Sequence, residues 1–449
     1  MSKSRWQPYP AYKDSGVEWL GKIPLHWQAK RVKWVFNITN GSTPTSTEPG
    51  YWDGDIPWVT PNDLGKLQGD TIYSTERSIT ERGYQSCGTT LVAAGSLVLS
   101  TRAPIGHLAI AGMNLCTNQG CRALAFRSKD NNRFFYYQLL AVRPELESLG
   151  RGSTFLELGR DELEAFPLAY PSSTEQRAIA AFLDRETARI DALVAKQERL
   201  IALLLEKRAA LISHAVTRGL DPNVPMKDSG VPWWGEIPAN WEIMQIRYMA
   251  ESLQTGPFGS QLHSSDYSPG SIPVINPSHM QDGHIKPDMD VAVDQATWER
   301  LARHELHAGD IVFARRGELG RCALVTQKEQ GWLCGTGSLR MRPKVEMVYP
   351  PFLVRALSTR GISDWLMLES VGSTMDNLNT QILSRVSLPI PSVEEQRAIA
   401  DHLDRETTRI DALIARVQEI IERLQEHRTA LISAAVTGKV DVRETEAQP

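Results

Sequence analysis

No apolar run in this 449-residue chain exceeds six residues, as in Leu200 to Leu205. A helix crossing a bilayer needs roughly 20 apolar residues in succession, so no transmembrane segment is expected. The first fifteen residues hold no apolar core, and no secretory signal is expected either. Cysteine is scarce: Cys87, Cys116, Cys121, Cys322 and Cys334 form an odd set with no C-x-x-C pair. Reduced thiols in a cytoplasmic protein fit this pattern better than a disulfide framework or a zinc site. Positive charge is also lacking, since 49 basic residues stand against 53 acidic ones for a net charge of −4. Residues 28–170 carry 14 of each sign, and residues 242–390 carry 14 basic and 16 acidic. Nucleic-acid-binding domains usually show a basic excess, so any such role here must rest on local placement of charge.

Catalytic motifs are absent too. No G-x-x-x-x-G-K-[ST] loop occurs to cradle the phosphates of ATP. No Asn-Pro-Pro-aromatic turn is present to hold an exocyclic amine for methylation; Asn276-Pro277-Ser278 is the nearest stretch. Gly256-Pro257-Phe258-Gly259 is too short for a cofactor loop and reads as a plain turn. Five of the ten histidines fall between His263 and His307, but His304-Glu305-Leu306-His307 is not H-E-x-x-H, and no metal site is expected.

The chain is a tandem duplication. Lys13 to Trp27 (KDSGVEWLGKIPLHW) returns as Lys227 to Trp241 (KDSGVPWWGEIPANW), with ten of fifteen positions identical. The fifty residues from Pro171 return from Pro391 with thirty identities. A period above 200 residues is too long for a solenoid, so each copy is a domain plus a connector. Between the near-copies, residues 28–150 and 242–370 share only traces. One is Gly95-x-x-Val98-x-x-x-Arg102-x-x-x-Gly106 against Gly309-x-x-Val312-x-x-x-Arg316-x-x-x-Gly320. Neither region shares an acid, base or nucleophile with the other at matching positions. The pattern is that of one frame held fixed while two surfaces are set to read different things.

Each repeated connector is expected to be one long helix. Ser172-x-x-Glu175 and Ser392-x-x-Glu395 follow a proline with capping-box spacing, and about 44 uninterrupted residues would span roughly 66 Å. Apolar residues recur every seven positions at Leu183, Ile190, Leu204 and Leu211, and at Leu403, Ile410, Val417, Leu424 and Leu431. A neighbouring row is expected at Ile179, Leu193 and Leu200, and at Ile399, Leu413 and Ile420, with Gln197 a polar slot in the first helix. Such a repeat marks a coiled-coil seam, most simply between the two helices of the one chain. The divergent regions mix short strands (Ile56 to Val59, Ser96 to Leu99, Ile272 to Ile275, Asp310 to Phe313) with helical patches at Arg133 to Val142 and Pro351 to Ser358.

With both helix motifs, P-S-x-x-E-Q-R-A-I-A-x-x-L-D-R-E-T-x-R-I-D-A-L, and both lead-in motifs, S-G-V-x-W-x-G-x-I-P-x-x-W, the whole chain resembles the specificity subunit of a type I restriction–modification system. The resemblance implies an α+β protein. Two similar α/β target recognition domains would lie in tandem, separated by two long helices packed as an antiparallel coiled coil with pseudo-two-fold symmetry. The expected division is a lead-in (1–27), recognition domain 1 (28–170), central helix (171–220), second lead-in (221–241), recognition domain 2 (242–390), C-terminal helix (391–440) and tail (441–449). It further implies a non-catalytic subunit that reads double-stranded DNA, each domain taking one half of a bipartite asymmetric site. The partners implied are two methyltransferase subunits and motor-nuclease subunits. S-adenosylmethionine, ATP and Mg belong to those partners, and no cofactor or metal to this chain. A coiled-coil scaffold that binds other proteins without touching DNA is the competing reading.

Arginine suits bidentate contact with guanine or phosphate. Arg102 follows the Ser96 to Leu99 strand, and Arg315 and Arg316, with Arg321 close by, follow the matching strand of the second domain. These are the candidate DNA contacts, against the plainer reading of salt-bridged or solvated arginines. Ser153, Thr154, Ser373 and Thr374 are further candidates as phosphate donors, although they equally suit turns that bond their own backbone. Trp19, Trp27, Trp233 and Trp241, repeated in the lead-in motifs, are expected to pack each domain onto the helices.

Overall fold

The computed structural model describes residues 7–152, 156–258, 261–370 and 378–443. The chain divides into two compact units, one of residues 1–197 with 418–449 and one of residues 198–417. Each unit therefore takes one half of each long helix.

In the first unit, a lead-in hairpin pairs Tyr12–Asp14 with Lys22–Pro24. Strand β1 (Gln28–Arg31) then pairs antiparallel with Pro167–Tyr170, the strand that feeds the long helix. The main sheet holds β2 (Phe36–Asn40), β3 (Leu97–Ser100), β4 (Leu108–Ala111) and β5 (Cys121–Phe126), in the order β2-β5-β3-β4, with Thr71–Ile72 at its edge. Phe36 lies opposite Phe126 and Asn40 opposite Arg122, while Cys121 lies opposite Ser100. A smaller sheet centres on Trp52–Val59. The second unit repeats the plan. Its main sheet runs β6 (Ala250–Thr255), β9 (Ser338–Pro343), β7 (Ile311–Ala314), β8 (Cys322–Leu324), and its smaller sheet centres on Tyr267–Ile275. The four strands foreseen from the sequence are all present, as are helices Asn132–Ala141 and Pro350–Leu357.

The glycines of the sparse shared motif have a backbone reason. Gly106 and Gly320, with φ near +89° and +90°, close the β3–β4 and β7–β8 hairpins in a conformation that side chains rarely adopt. They keep the Arg102 and Arg316 positions equivalent although the surrounding sequence differs.

The long helices run Ser173–Arg218 and Val393–Val436. Within the first unit Asp191 pairs with Arg428 at 2.9 Å, so early residues of one helix meet late residues of the other. Within the second unit Arg208 pairs with Asp411 at 3.0 Å, the reverse order. This is the pattern of an antiparallel pair. Of the predicted seam, Leu183, Ile190, Leu403, Ile410, Val417 and Leu431 are buried, and Leu204, Leu211 and Leu424 are half-buried.

The predicted neighbouring row is corrected for most of its length. Leu193, Leu200, Leu413 and Ile420 are 39, 41, 41 and 44% exposed, and only Ile179 and Ile399, where the helices meet their domains, are buried. The second row of the seam follows the first by four residues instead of preceding it. It comprises Thr187, Val194, Ile201, Arg208 and Ala215, and Thr407, Ile414, Ile421, Arg428 and Ala435, all buried or half-buried. A coiled coil alternates spacings of three and four, and here a threonine and an arginine occupy slots that hydrophobicity alone would not select.

Core clusters join each helix pair to its domain. In the first unit Trp27, Phe36, Phe134, Phe135 and Phe182 pack with Leu431, Ile432 and Val436. In the second, Trp241, Phe313 and Phe352 pack with Ala215, Val216, Ile399 and Leu403. Trp27 and Trp241 are fully buried, Trp19 stacks on Phe166 with centroids 5.5 Å apart, and Trp233 lies against Trp365 at 5.5 Å. The lead-in tryptophans are thus packing groups.

The capping box at Ser172 takes a different form from the one expected. The Ser172 hydroxyl accepts from the Glu175 N–H at 3.3 Å, and the Glu175 carboxylate returns to the Ser172 hydroxyl at 2.9 Å and not to its backbone N–H. Its other oxygen accepts from Trp27 Nε1 at 3.2 Å and lies 2.8 Å from His26 Nε2. Burial opposes ionisation of this carboxyl, yet hydrogen bonds from His26, Trp27 and Ser172 outweigh it and hold Glu175 below the usual glutamate range.

Candidate nucleic-acid interface

In each main sheet, the end that carries the Arg102 or Arg316 position is closed by three loops. In the second unit these are the residues after β6, the loop after β7 and the Gly335-Thr336-Gly337 turn before β9. Their packing demands a glycine at residue 256, because a Cβ there would stand 1.9 Å from the Gly335 carbonyl oxygen. Gly41 meets the Asn118 carbonyl oxygen at the same distance in the first unit. Small residues at the ends of β2 and β6 are therefore what lets the loops converge.

In the second unit the convergence leaves a recess of about 350 Å³ lined by Phe258, Arg315, Arg316, Thr336 and Gly337. The Arg315 backbone N–H donates to the Gly337 carbonyl at 2.9 Å, and its Nε donates to the Leu378 carbonyl at 3.2 Å. Burial, then the like charge of Arg316, lowers the Arg315 pKa from its ordinary value. Arg316 makes no hydrogen bond or ion pair among the described residues, which leaves its guanidinium fork open. The Phe258 ring beside it is 62% exposed. A guanidinium with an exposed ring can grip a phosphate or a guanine edge and stack a base or sugar. Arg321 stands apart from this recess. It is held by Glu318, with Nε to Oε2 at 3.1 Å, and it donates to the Pro277 carbonyl at 3.3 Å.

The first unit arranges the same place differently. Arg102 is tied to Glu157, Nε to Oε2 at 3.1 Å, with both side chains partly exposed. The Thr43 hydroxyl donates to the Gln119 side-chain oxygen, and the Asn118 side chain accepts from the Gly120 N–H at 2.9 Å. Neutral donors and acceptors therefore dominate where the second unit presents a free cation. Of the sequence candidates, the structure brings Arg315 and Arg316 together and sets Arg102 at the equivalent strand end. Ser153, Thr154, Ser373 and Thr374 lie outside the described residues. Phe258, Thr336, Thr43 and Gln119 were missed. The signal for them was the pairing of Gly41 with Gly256, each at the end of a strand and followed by loop residues.

Away from the recess, along the second unit's main sheet, lies a largely buried arginine cluster in which Arg340 stands opposite Val312 and Arg342 opposite Ser252. Arg342 donates twice to Asp310, both at 2.8 Å, and Arg340 donates to the Gln254 side chain at 2.7 Å. His304 accepts from Arg303 Nε at 3.0 Å, and its pKa is pushed down to about 4 by burial and by the charges of Arg303 and Arg340. Among the described residues, no group of three His, Cys, Asp or Glu side chains converges as a metal site would require, and no helix is long and apolar enough to cross a membrane.

Two α+β recognition-type domains on one duplicated frame, each joined to half of an antiparallel helix pair, define a class of paired binding modules on a helical strut. Residues 24–201 and again 238–423 match the family described as the type I restriction modification DNA specificity domain. The chain belongs to that family. It is 37% identical over 185 residues to the type I restriction enzyme MjaIX specificity subunit of Methanocaldococcus jannaschii, a match covering 41% of this chain and 42% of that one. It is 22% identical over 427 residues to the EcoBI specificity subunit of Escherichia coli, covering 94% and 88%. The fold is also that of a chain solved in a study of complex assembly and conformational transition in the type I restriction–modification system. That likeness has a TM-score of 0.69 at 18% identity and covers 93% of this chain and 99% of the other. The HsdS subunit from Thermoanaerobacter tengcongensis gives 0.52 at 16% identity, covering 93% and 98%.

Proposed function

We propose that this chain is the non-catalytic DNA-reading subunit of a type I restriction–modification complex. Each unit reads one half of a bipartite, asymmetric site through the loops that close its main sheet. The paired helices set the gap between the halves and dock two methyltransferase subunits, which carry S-adenosylmethionine and methylate adenine. Motor-nuclease subunits using ATP and Mg join them. The observation that carries this reading is the repeated strand end. There an unchanged backbone frame presents Arg316 and Phe258 in one unit, and a paired Arg102 with Thr43 and Gln119 in the other. Specificity needs side chains that differ on a scaffold that does not, because base edges are told apart by donor and acceptor pattern.

Near-neutral charge in both domains is compatible with DNA binding if the partners supply phosphate contacts, which dominate affinity without carrying sequence. The test is retention of duplex DNA by the full chain with and without a co-expressed methyltransferase subunit, across a salt series. Sequence-selective, salt-sensitive retention in the partner's presence is the expected result. A complex that forms but discriminates no sequence would overturn the reading.

A further inference from the structure

At the other end of each main sheet both units carry the same surface feature. In the first unit, a short helix, Val32–Val35, precedes β2 and presents Trp34, whose side chain is 67% exposed. Lys33 Nζ lies 5.4 Å from the Trp34 ring centre. Arg127, the residue after β5, donates from Nε to the carbonyls of Lys33 and Phe36 at 2.9 and 3.1 Å, fixing a second cation beside the ring. In the second unit the helix Ile246–Met249 precedes β6 and presents Tyr248, 54% exposed, with the Arg247 guanidinium 4.8 Å from its ring centre. Lys344, the residue after β9, donates from Nζ to the Tyr248 carbonyl at 3.1 Å. The backbone contacts match as well: Arg127 N–H to Val35 O at 3.0 Å, and Lys344 N–H to Met249 O at 2.8 Å.

Two facts about this feature decide what it fits. It recurs in regions that otherwise diverge, so it serves something identical at both units, not a half-site sequence. It also lies at the opposite end of the strands from the Arg102 and Arg316 loops. Phe36 pairs with Phe126 here, whereas Asn40 and Cys121 sit at the reading end. Five residues of antiparallel strand separate the two ends by about 17 Å. A duplex lying across the reading loops would leave this end free. Packing does not explain the rings either, since Trp34 and Tyr248 are more than half exposed and one cation beside each, Arg127 or Lys344, is held by a backbone carbonyl. Exposed aromatics beside arginine or lysine are the composition of protein-interface anchors.

We infer that Trp34 with Lys33 and Arg127, and Tyr248 with Arg247 and Lys344, are twin docking knobs, each received by an acidic protein surface with an apolar recess on one copy of the same partner subunit. The inference rests on the proposed role as a subunit of a larger assembly. The partner is the subunit present once per unit, and the methyltransferase subunit is the probe to use.

The full-length chain would be co-expressed with that subunit and weighed by native mass spectrometry without DNA. Controls would compare melting temperature with the unsubstituted chain. The pair Lys33→Glu, Trp34→Ala should remove one copy of the subunit, and Arg247→Glu, Tyr248→Ala the other. The fourfold variant should bind at least tenfold more weakly. Normal stoichiometry and affinity in the folded fourfold variant would overturn the inference while leaving the DNA-reading role intact. So would a loss seen only when DNA is present, which would mark the knobs as phosphate contacts. An unsubstituted chain that binds no methyltransferase subunit would overturn both.

Discussion

The two lead-in motifs are near-copies in sequence, yet their buried indoles are satisfied differently. In the first unit Trp27 Nε1 donates to Glu175, which is also met by His26. In the second, Asn240 replaces His26, and the equally buried Trp241 Nε1 has no hydrogen-bond partner among the described residues. The strand ends that carry Arg102 and Arg316 differ in the same sense, with Arg102 paired and Arg316 open. Duplication has preserved the apolar packing of the frame, and at these two places the polar pairing has drifted. Packing tolerates little change of volume, whereas a hydrogen bond can be lost at the cost of about 1–3 kcal/mol.

The largest effects should therefore be equal in the two units. Leu183→Ala and Leu403→Ala each empty a fully buried seam position, and each should destabilise its unit by about 2–5 kcal/mol in urea unfolding. A loss in one unit only would break the equivalence of the frames. His304 should make the second unit acid-sensitive, and His107, which burial also lowers, should act in the same sense in the first. The folded pKa of His304, about 4, lies below the 6.5 of the unfolded chain, so the unfolded state takes up the proton first as pH falls. Stability is then intact above pH 6.5 and declines towards pH 4, by about 3 kcal/mol at most. His304→Phe should flatten that slope.

DNA affinity should separate the units. Arg316→Ala should weaken binding by about 1–3 kcal/mol, roughly five- to 150-fold, and relax selectivity at one half-site. Arg102→Ala, which removes a guanidinium already held by Glu157, should do less in the same fluorescence-anisotropy titration. Trp27→Phe should cost about 1 kcal/mol more than Trp241→Phe, because only the first removes a hydrogen bond to a buried carboxylate. The smallest effect belongs to the helix ion pairs. Asp191→Asn and Asp411→Asn each remove a charge that lies more than half in solvent and should shift stability by less than about 1 kcal/mol.

Much of this was legible in the sequence. Local pattern placed the strands around Val59, Leu99, Ile275 and Val312, the two long helices, and the first seam row, because each is set by residues a few positions apart. The second seam row was not legible. An apolar run such as Leu200 to Leu205 offers leucines on either side of the true row, and Arg208 sits in the seam with its charge turned to Asp411. Nor could the sequence divide Arg102 from Arg316. The partner that silences Arg102 lies 55 residues away, in Glu157. Phe258 passed as part of a turn because its exposure depends on three loops meeting around Gly256.

The most direct measurement exchanges residues 28–150 for the corresponding segment of a relative and maps methylated adenines across the genome of cells carrying the hybrid complex. One half of the modified sequence should change, with the other half and the gap retained. A hybrid that modifies a site altered in both halves, or in neither, would contradict the assignment of one reading face to each unit.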